Sequence, residues 1–385
     1  MKCYIICLFL VILATPVLAQ QSAQADNALL LDYYQTQRFD KAADYLKKTC
    51  PEPISNIKIL KALAYCSQMQ GKLPEAEAYY ERVYALDSTS TSVLYSLGSI
   101  NMSRGNEAKA EVYYKQILKH DSTNFLVYKQ LAHIYHNKAD LIHEMNNLAK
   151  ANQLNPVDAD VASDFSDLLI NLKLYPSAEK ILDTAVKADP ENLVLLESLT
   201  KLLYMQKKWP EAANCCEKIL TLGDQSPIVL TRLGISYFNM NNYQCALETF
   251  SQIDALNHDE TVCYYTAVSY KKLKDYPDAI KWFQKTIDAG ISPNTSQYYN
   301  SLADTYETTK NYNRAEFAYQ KSLQFKTDAI TYYSIANMYD TELKNHKLAL
   351  VYYRKYLAGK PDADEKNYVV YAKSRVAVLS RNQNF

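Results

Sequence analysis

His133 and His136 come closer than any other residues of this sequence to the spacing of a metal site. They lie one helical turn apart, and Asp160, Asp164 and Asp167 follow at helical spacing in the next segment. Imidazole nitrogens and carboxylate oxygens both bind zinc, but two histidines three residues apart, with no carboxylate at a fixed spacing, are a weak pattern. We therefore expect a solvated helix face here and no metal ligands.

The sequence contains none of the common catalytic motifs. HExxH, GxSxG, the phosphate-binding GxxxxGK[ST] loop and a CxxC pair are all missing. Cys215 and Cys216 are neighbours in a segment that reads as a helix, where consecutive side chains diverge, so we expect them to pack. The sequence thus predicts no catalytic residues and no cofactor, and an enzyme is the least favoured class.

Four cysteine positions bear on disulfides. Cys50 and Cys66 fall about one turn out of register across a predicted antiparallel contact, which disfavours a bridge. Cys215 and Cys245 fall on matching faces of neighbouring helices, and a disulfide between them is a hypothesis.

The elements that must position these residues repeat along the chain. Alanine occurs at 42, 76, 110, 178, 212 and 246, a step of 34 whose one gap is filled by Glu144. A period of this size is typical of stacked helical hairpins. Units begin near residues 23, 57, 91, 125, 159, 193, 227, 260, 296 and 329, which predicts ten hairpins, with slips after Ala246 and at 290–294.

Glycine and proline support this register. Gly98 and Gly234 fall at position 8 of their units, where a small residue lets two helices approach closely. Four prolines fall at position 18, in the first turn of the second helix, where the missing N–H loses no partner: Pro74, Pro176, Pro210 and Pro277.

These residues resemble the tetratricopeptide repeat family, whose unit of 34 residues has small residues at positions 8 and 20, aromatic residues at 11 and 24, and proline at 32. The best matching stretches run from Leu97 to Ala110, from Leu131 to Pro156 and from Leu302 to Tyr319, and the resemblance covers about residues 23 to 361. It implies an all-α fold, a right-handed superhelical solenoid of about ten helix-turn-helix repeats whose inner face is formed mainly by the first helices.

The two ends of the chain differ from the repeats. Residues 1–19 have the shape of a signal peptide, with an apolar run from Cys3 to Leu18 and a small residue at the predicted cleavage site. We expect the solenoid at 20–361 and a capping helix with a polar outer face at 362–385. This organisation predicts an exported protein, periplasmic or extracellular, with no integral membrane segment after cleavage; an uncleaved N-terminal anchor stays an alternative.

Charge excludes one class of partner. Lys plus Arg equals Asp plus Glu at 42 each, and no long run of one sign occurs, so nucleic acid is not expected to bind.

Tyrosine is the other unusual feature, at 34 residues. The resemblance implies that positions 2, 5, 9, 12 and 13 of each first helix line a concave groove. Tyrosine suits such a surface because it combines apolar area with a hydroxyl. We predict a binding groove with six aromatic anchors and three lysines: Tyr65, Tyr95, Tyr204, Phe238, Tyr264, Tyr333, Lys61, Lys129 and Lys201. The alternative is that these rings only cover neighbouring repeats.

The predicted function is a non-catalytic scaffold that binds a peptide or protein segment in this groove. Glycan capture is the alternative, as in nutrient-binding envelope proteins built on related repeats. Two features disfavour it: no cysteine follows the predicted cleavage site to carry a lipid anchor, and only two tryptophans, Trp209 and Trp282, are available to stack on sugars.

Overall fold

The structure is a computed structural model, and it describes residues 26–290 and 292–381. The predicted signal peptide at 1–19 lies outside the described residues, as do residues 20–25 of the predicted solenoid and 382–385 of the predicted cap. All regular structure in the described residues is helical, as predicted. The chain divides into two compact units, the first ending at Asn155 and the second beginning at Pro156.

Eight helices form the first unit. They are α1 (Asn27–Gln35), α2 (Phe39–Thr49), α3 (Ile57–Met69), α4 (Leu73–Leu86), α5 (Thr91–Ser103), α6 (Glu107–His120), α7 (Phe125–Asn137) and α8 (Leu141–Leu154).

Thirteen helices form the second unit. They are α9 (Ala159–Asn171), α10 (Tyr175–Ala188), α11 (Leu193–Met205), α12 (Trp209–Thr221), α13 (Pro227–Asn239), α14 (Tyr243–Phe250), α15 (Glu260–Lys272), α16 (Tyr276–Asp288), α17 (Thr295–Thr308), α18 (Tyr312–Phe325), α19 (Ala329–Asn337), α20 (His346–Ala358) and α21 (Lys366–Arg381).

Helices α1 to α20 pair in sequence order as ten hairpins, each with a first helix and a second helix in contact. Within each unit, a second helix also contacts the first helix of the hairpin that follows. The alanines of the 34-residue ladder are completely buried in the second helices, as Ala76 and Ala212 show. Burial of these small side chains brings paired helices close together, which is the packing that the repeat predicts.

Local sequence sets where the helices begin. Seven of the ten first helices follow an Asp or Asn whose side chain accepts a backbone N–H of the first turn: Asp26, Asn56, Asn124, Asp158, Asn192, Asp259 and Asp328. The second helices α4, α10, α12 and α16 instead have proline in their first turn, as predicted.

Each of the ten hairpin turns contains one residue with positive φ, and only Gly71 and Gly105 are glycines. In a typical turn, the Lys208 N–H donates to the Leu203 carbonyl five residues back, at 2.9 Å, and so closes the end of the first helix. Left-handed backbone costs a residue with a Cβ about 1 kcal/mol. The turns are therefore held by helix packing and this hydrogen bond, with little help from glycine.

Two departures from the repeat absorb changes of length. Helix α14 has only eight residues and is followed by a 3-10 turn at Ala255–Asn257, at the slip that the sequence predicts after Ala246. In the tenth hairpin, a π turn at Met338–Glu342 extends α19. There the Asn345 N–H reaches the Tyr339 carbonyl six residues back, so the π turn accommodates one extra residue without moving the following helix out of register.

The C-terminal helix α21 packs on α20 through the buried side chains of Ala372 and Leu379. However, the prediction that its outer face is polar is wrong, because Val370, Tyr371 and Val378 are exposed there. The sequence pattern predicted apolar residues only on the side that faces α20, whereas the helix also has apolar residues on its exposed side.

The disulfide hypothesised between Cys215 and Cys245 is not formed, and all six cysteines in the described part of the chain are free. The Cys215 thiol donates to the Leu196 carbonyl at 3.4 Å, and burial raises its pKa. Cys215 and Cys216 are both buried, in agreement with a packing role.

Gly98 on α5 marks the closest approach of two helices in the first unit. A Cβ at this position would lie 2.5 Å from Cε1 of Tyr114, and that ring is completely buried in α6. Gly234 stands in the same relation to Phe250 in the second unit.

We therefore expect Gly98→Ala to lower the free energy of unfolding by about 1–3 kcal/mol, because the enclosed ring must shift. Urea denaturation of the purified protein measures the change. Ser103→Ala, at an exposed position of the same helix, is the control and should have little effect. Combining Gly98→Ala with Tyr114→Leu should cost less than the sum of the two single changes; full additivity would contradict the packing account.

Candidate binding surface

Three of the predicted groove residues of the first unit lie on α3 and α5, and one lies on α7. Tyr65 is 42% exposed. Its ring lies edge-on to Tyr34 and Phe39, with centroids 5.9 and 5.8 Å away. These contacts hold the Tyr65 ring in place while leaving part of it open to a ligand.

The other predicted residues of this unit are more enclosed. The Lys61 ammonium donates to Ser90 Oγ at 3.1 Å. The half-buried Tyr95 ring packs on Tyr114, with centroids 5.6 Å apart. Lys129 is half-buried on α7.

In the second unit, the predicted residues Lys201, Tyr204 and Phe238 lie on α11 and α13 in contact with other side chains. Lys201 pairs with Asp167 of α9 at 3.0 Å. The Tyr204 ring lies 5.4 Å from Trp209, and burial raises the pKa of its hydroxyl.

Tyr264 and Phe238 belong to one aromatic cluster. Phe238 packs on Tyr265 at 5.0 Å, and Tyr265 packs on Tyr264 at 5.7 Å. Tyr264 then meets Tyr298 of the next first helix at 5.1 Å, and its hydroxyl accepts a hydrogen bond from Gln297 at 3.0 Å. The rings therefore connect three consecutive first helices while Tyr264 stays half-buried.

Tyr333 lies at the C-terminal end of the unit, away from Tyr264. Its ring contacts Tyr353 and Tyr356 of α20 and Tyr368 and Tyr371 of α21. Most of this side chain is therefore used to pack α21.

Two adjoining cavities open on α15, α17 and α19, with volumes of about 420 and 270 Å³. We call them together the α15–α19 pocket. The predicted residue Tyr264 lines the larger cavity with Val268 and Phe283, and the ion pair of Lys271 with Asp304 borders both. Most residues that line the smaller cavity have polar side chains, among them Gln297, Asn300, Ser301, Thr331 and Ser334.

Sequence reasoning missed these polar residues because it selected aromatic side chains. Asn300, Ser301 and Asp304 occupy positions 5, 6 and 9 of their unit, two of which were already assigned to the groove. Consecutive first helices place them side by side, and the Asn300 amide donates to Thr331 Oγ1 at 3.0 Å. Position in the repeat would have found them without regard to residue type.

The histidine and aspartate cluster does not act as one group. His136 Nδ1 lies 2.8 Å from Glu144 Oε1, the buried carboxylate that interrupts the alanine ladder. Asp167 pairs with Lys201, as described above. Among the residues that the structure describes, no group of three or more His, Cys, Asp or Glu side chains could hold a metal ion.

Glu307 is the acidic group most affected by its surroundings near the pocket. It accepts a hydrogen bond from the Tyr319 hydroxyl at 3.1 Å. Burial, with a smaller contribution from the nearby Asp304 and Glu342, raises the pKa of Glu307 above its usual value.

The stacked hairpins define an all-helical repeat fold. Two tetratricopeptide repeat family models match residues 68–124 and 296–328, and the model for subunit 3 of the anaphase-promoting complex, or cyclosome, matches residues 205–286. These segments, and the fold of ten hairpins, are similar to those of tetratricopeptide repeat proteins.

Known proteins with the same repeats are distant in sequence. TPR repeat-containing protein YpiA of Bacillus subtilis is 24% identical over 179 residues, which are 45% of this chain and 41% of YpiA, so the chain matches less than half of that relative. The C-terminal part of a tetratricopeptide repeat protein of Cytophaga hutchinsonii matches at a TM-score of 0.52 and 16% identity, over 61% of this chain and 97% of that one. YrrB, described as having an unusual peptide-binding site, matches at a TM-score of 0.43 and 18% identity, over 48% and 94%.

No helix in the described part of the chain is both long enough and apolar enough to cross a membrane.

We expect Glu307→Gln to stabilise the protein at neutral pH. A carboxyl whose pKa is raised by folding binds its proton more tightly in the folded state, so its ionisation weakens folding as pH rises from the unfolded pKa to the folded one. The melting temperature of the variant should therefore exceed that of the wild type at pH 7.5, and the difference should shrink at pH 4. Glu197→Gln, at an exposed carboxylate of α11, is the control and should leave the melting temperature nearly unchanged at both pH values. An equal gain for Glu307→Gln at both pH values would contradict a raised pKa.

Proposed function

We propose that this protein is a non-catalytic scaffold that binds a peptide or protein segment on its first-helix surface. The α15–α19 pocket is the observation that carries the proposal. It combines an apolar wall of Tyr264, Val268 and Phe283 with a polar wall on the two following first helices. A pocket with apolar area and a few converging polar groups is the usual form of a binding site.

The polar wall suits a polypeptide backbone. An extended segment presents N–H donors and C=O acceptors along its length. An amide side chain has two N–H donors and one carbonyl oxygen; at Asn300 one N–H donates to Thr331 Oγ1 and Oδ1 accepts from the same hydroxyl, so the second N–H is the group offered to the ligand. Ser301 and Ser334 add hydroxyl groups that can donate or accept.

The apolar wall and the ion pair supply selectivity. The half-buried Tyr264 offers a ring face to an apolar side chain of the ligand, and the completely buried Phe283 packs behind it, with ring centroids 6.2 Å apart. Lys271 and Asp304 stand between the two cavities, where each can exchange its partner for a charged group of the ligand. A segment with one apolar and one charged side chain is the ligand that this arrangement favours.

The location that we propose is the cell envelope or the extracellular space. Its support is the N-terminal apolar run with a small residue at the predicted cleavage site. Glycan binding receives no support from the tryptophans. Trp209 packs on Tyr204, and the Trp282 ring is covered by the Lys285 ammonium, 3.9 Å from its centroid.

A peptide library selected against the immobilised protein tests the function. We expect a selected peptide to bind in solution, and we expect Tyr264→Ala and Asn300→Ala each to weaken it about tenfold, equivalent to about 1.4 kcal/mol. Fluorescence anisotropy measures the affinities, and circular dichroism confirms that each variant is folded.

Phe317→Ala is the matched control, because Phe317 is an exposed aromatic residue on the second helix α18 and lies outside the pocket. This variant should bind like the wild type. Selected peptides whose affinity does not respond to either pocket variant would place binding elsewhere, and specific retention of oligosaccharides on a glycan array without peptide binding would favour the alternative.

A further inference from the structure

Helix α21 packs on α20 in the way that a first helix packs on the second helix of the preceding hairpin. Ala372 and Leu379 are buried against α20. Arg375 forms a two-pronged ion pair with the buried Asp340, at 2.6 and 2.8 Å, which fixes the rotation of the helix about its axis. Burial works to raise the pKa of Asp340, but Arg375 outweighs it and the pKa lies below the usual value.

The opposite side of α21 is open where other first helices are covered. Ala372 aligns with the small position 8 of a repeat. Tyr371 then falls at position 7, where Leu97 and Leu302 are buried in their own helices. Ser374 falls at position 10, where Ile100 is buried. Those residues belong to helices that are followed by a second helix. No second helix follows α21 within the described residues, and Tyr371 is 39% exposed.

The open side carries a continuous stripe. Five residues at helical spacing i, i+1, i+4, i+7 and i+8 form it: Val370, Tyr371, Ser374, Ala377 and Val378. Val370 is 68% exposed and Val378 is 42% exposed. We call these five residues the α21 stripe.

The α21 stripe is symmetric about Ser374. In an antiparallel pair of identical helices centred on this residue, Val370 of one copy lies opposite Val378 of the other. Tyr371 then lies opposite Ala377, so a large side chain meets a small one. Such a surface is complementary to itself, which is the requirement of a two-fold interface.

Charge favours an antiparallel pair over a parallel one. Helix α21 carries basic residues and no acidic residue, and Asp364 lies two residues before its first residue, Lys366. An antiparallel pair brings Arg381 of one copy within about one helical turn of Asp364 of the other, whereas a parallel pair would align Arg381 with itself. Helix dipoles also oppose each other favourably in the antiparallel pair.

We propose that the α21 stripe is a dimer interface at which α21 of a second copy packs antiparallel, with the two-fold axis at Ser374. The second helix supplies the cover that every other first helix receives from its own hairpin. The interface leaves the α15–α19 pocket of each copy free, because its lining residues are not part of the stripe. The inference does not depend on the proposed function.

Light scattering of the purified protein after gel filtration, over a dilution series, tests the oligomeric state. We expect twice the monomer mass for the wild type at high concentration and the monomer mass for Val378→Glu, since the change puts two charges into the apolar contact. Leu256→Glu, at a leucine that is 95% exposed in the second unit, is the control and should remain a dimer. A wild type that is monomeric at every concentration, or a Val378→Glu variant that still dimerises, overturns the proposal.

Disulfide crosslinking tests the register. Only a residue on the two-fold axis meets its own copy, so Ser374→Cys should give a covalent dimer under a mild oxidant, copper phenanthroline. Lys373→Cys, one residue away on the flank, and the wild type with its own free cysteines should not. Equal crosslinking of both variants overturns the proposed axis.

Binding to an anionic lipid surface is the competing explanation, since the exposed apolar residues are flanked by Lys366 and Lys373. Vesicles of phosphatidylcholine and phosphatidylglycerol at three to one test it. Cosedimentation of wild type but not of Val378→Glu with these vesicles, together with a monomer in solution, would replace the dimer with membrane binding.

Discussion

The close approach of paired helices at small side chains is the constraint on which this structure depends. Ala42, Ala76, Ala178 and Ala212 are completely buried. Because each small residue faces a larger one across the contact, the two helices of a hairpin have one depth and one register at which they fit. The ladder tolerates Glu144 only as a buried carboxylate that has His136 as a partner.

This packing explains why the chain can vary elsewhere. The hairpin turns hold their left-handed residue whether it is glycine, lysine or glutamine, since the helices on both sides fix the backbone. Extra or missing residues are absorbed outside the helix contacts, by the short α14 and by the π turn that extends α19. The π turn also places Asp340 where Arg375 can reach it, so an irregularity of the repeat fastens the last helix.

Aromatic residues serve both packing and the surface of the first helices. Tyr264 links neighbouring helices through ring contacts and still lines the α15–α19 pocket. Tyr65 combines two ring contacts with partial exposure. Tyr333, in contrast, lies among the rings of α20 and α21. The predicted groove tyrosines therefore differ in exposure, from the partly open Tyr65 to Tyr333, whose ring is used to pack the last two helices.

The sequence by itself determined the repeat, the helix boundaries near proline and the positions that must be small, because these follow from residue size and backbone geometry at short range. The resemblance to the repeat family added which faces of the first helices are candidates for binding. Only the tertiary structure decided which of those side chains are open, which polar residues meet in a pocket and which face of α21 is uncovered. Those properties depend on which side chains of the neighbouring helix lie opposite each residue. The order of residues along one helix does not contain that information.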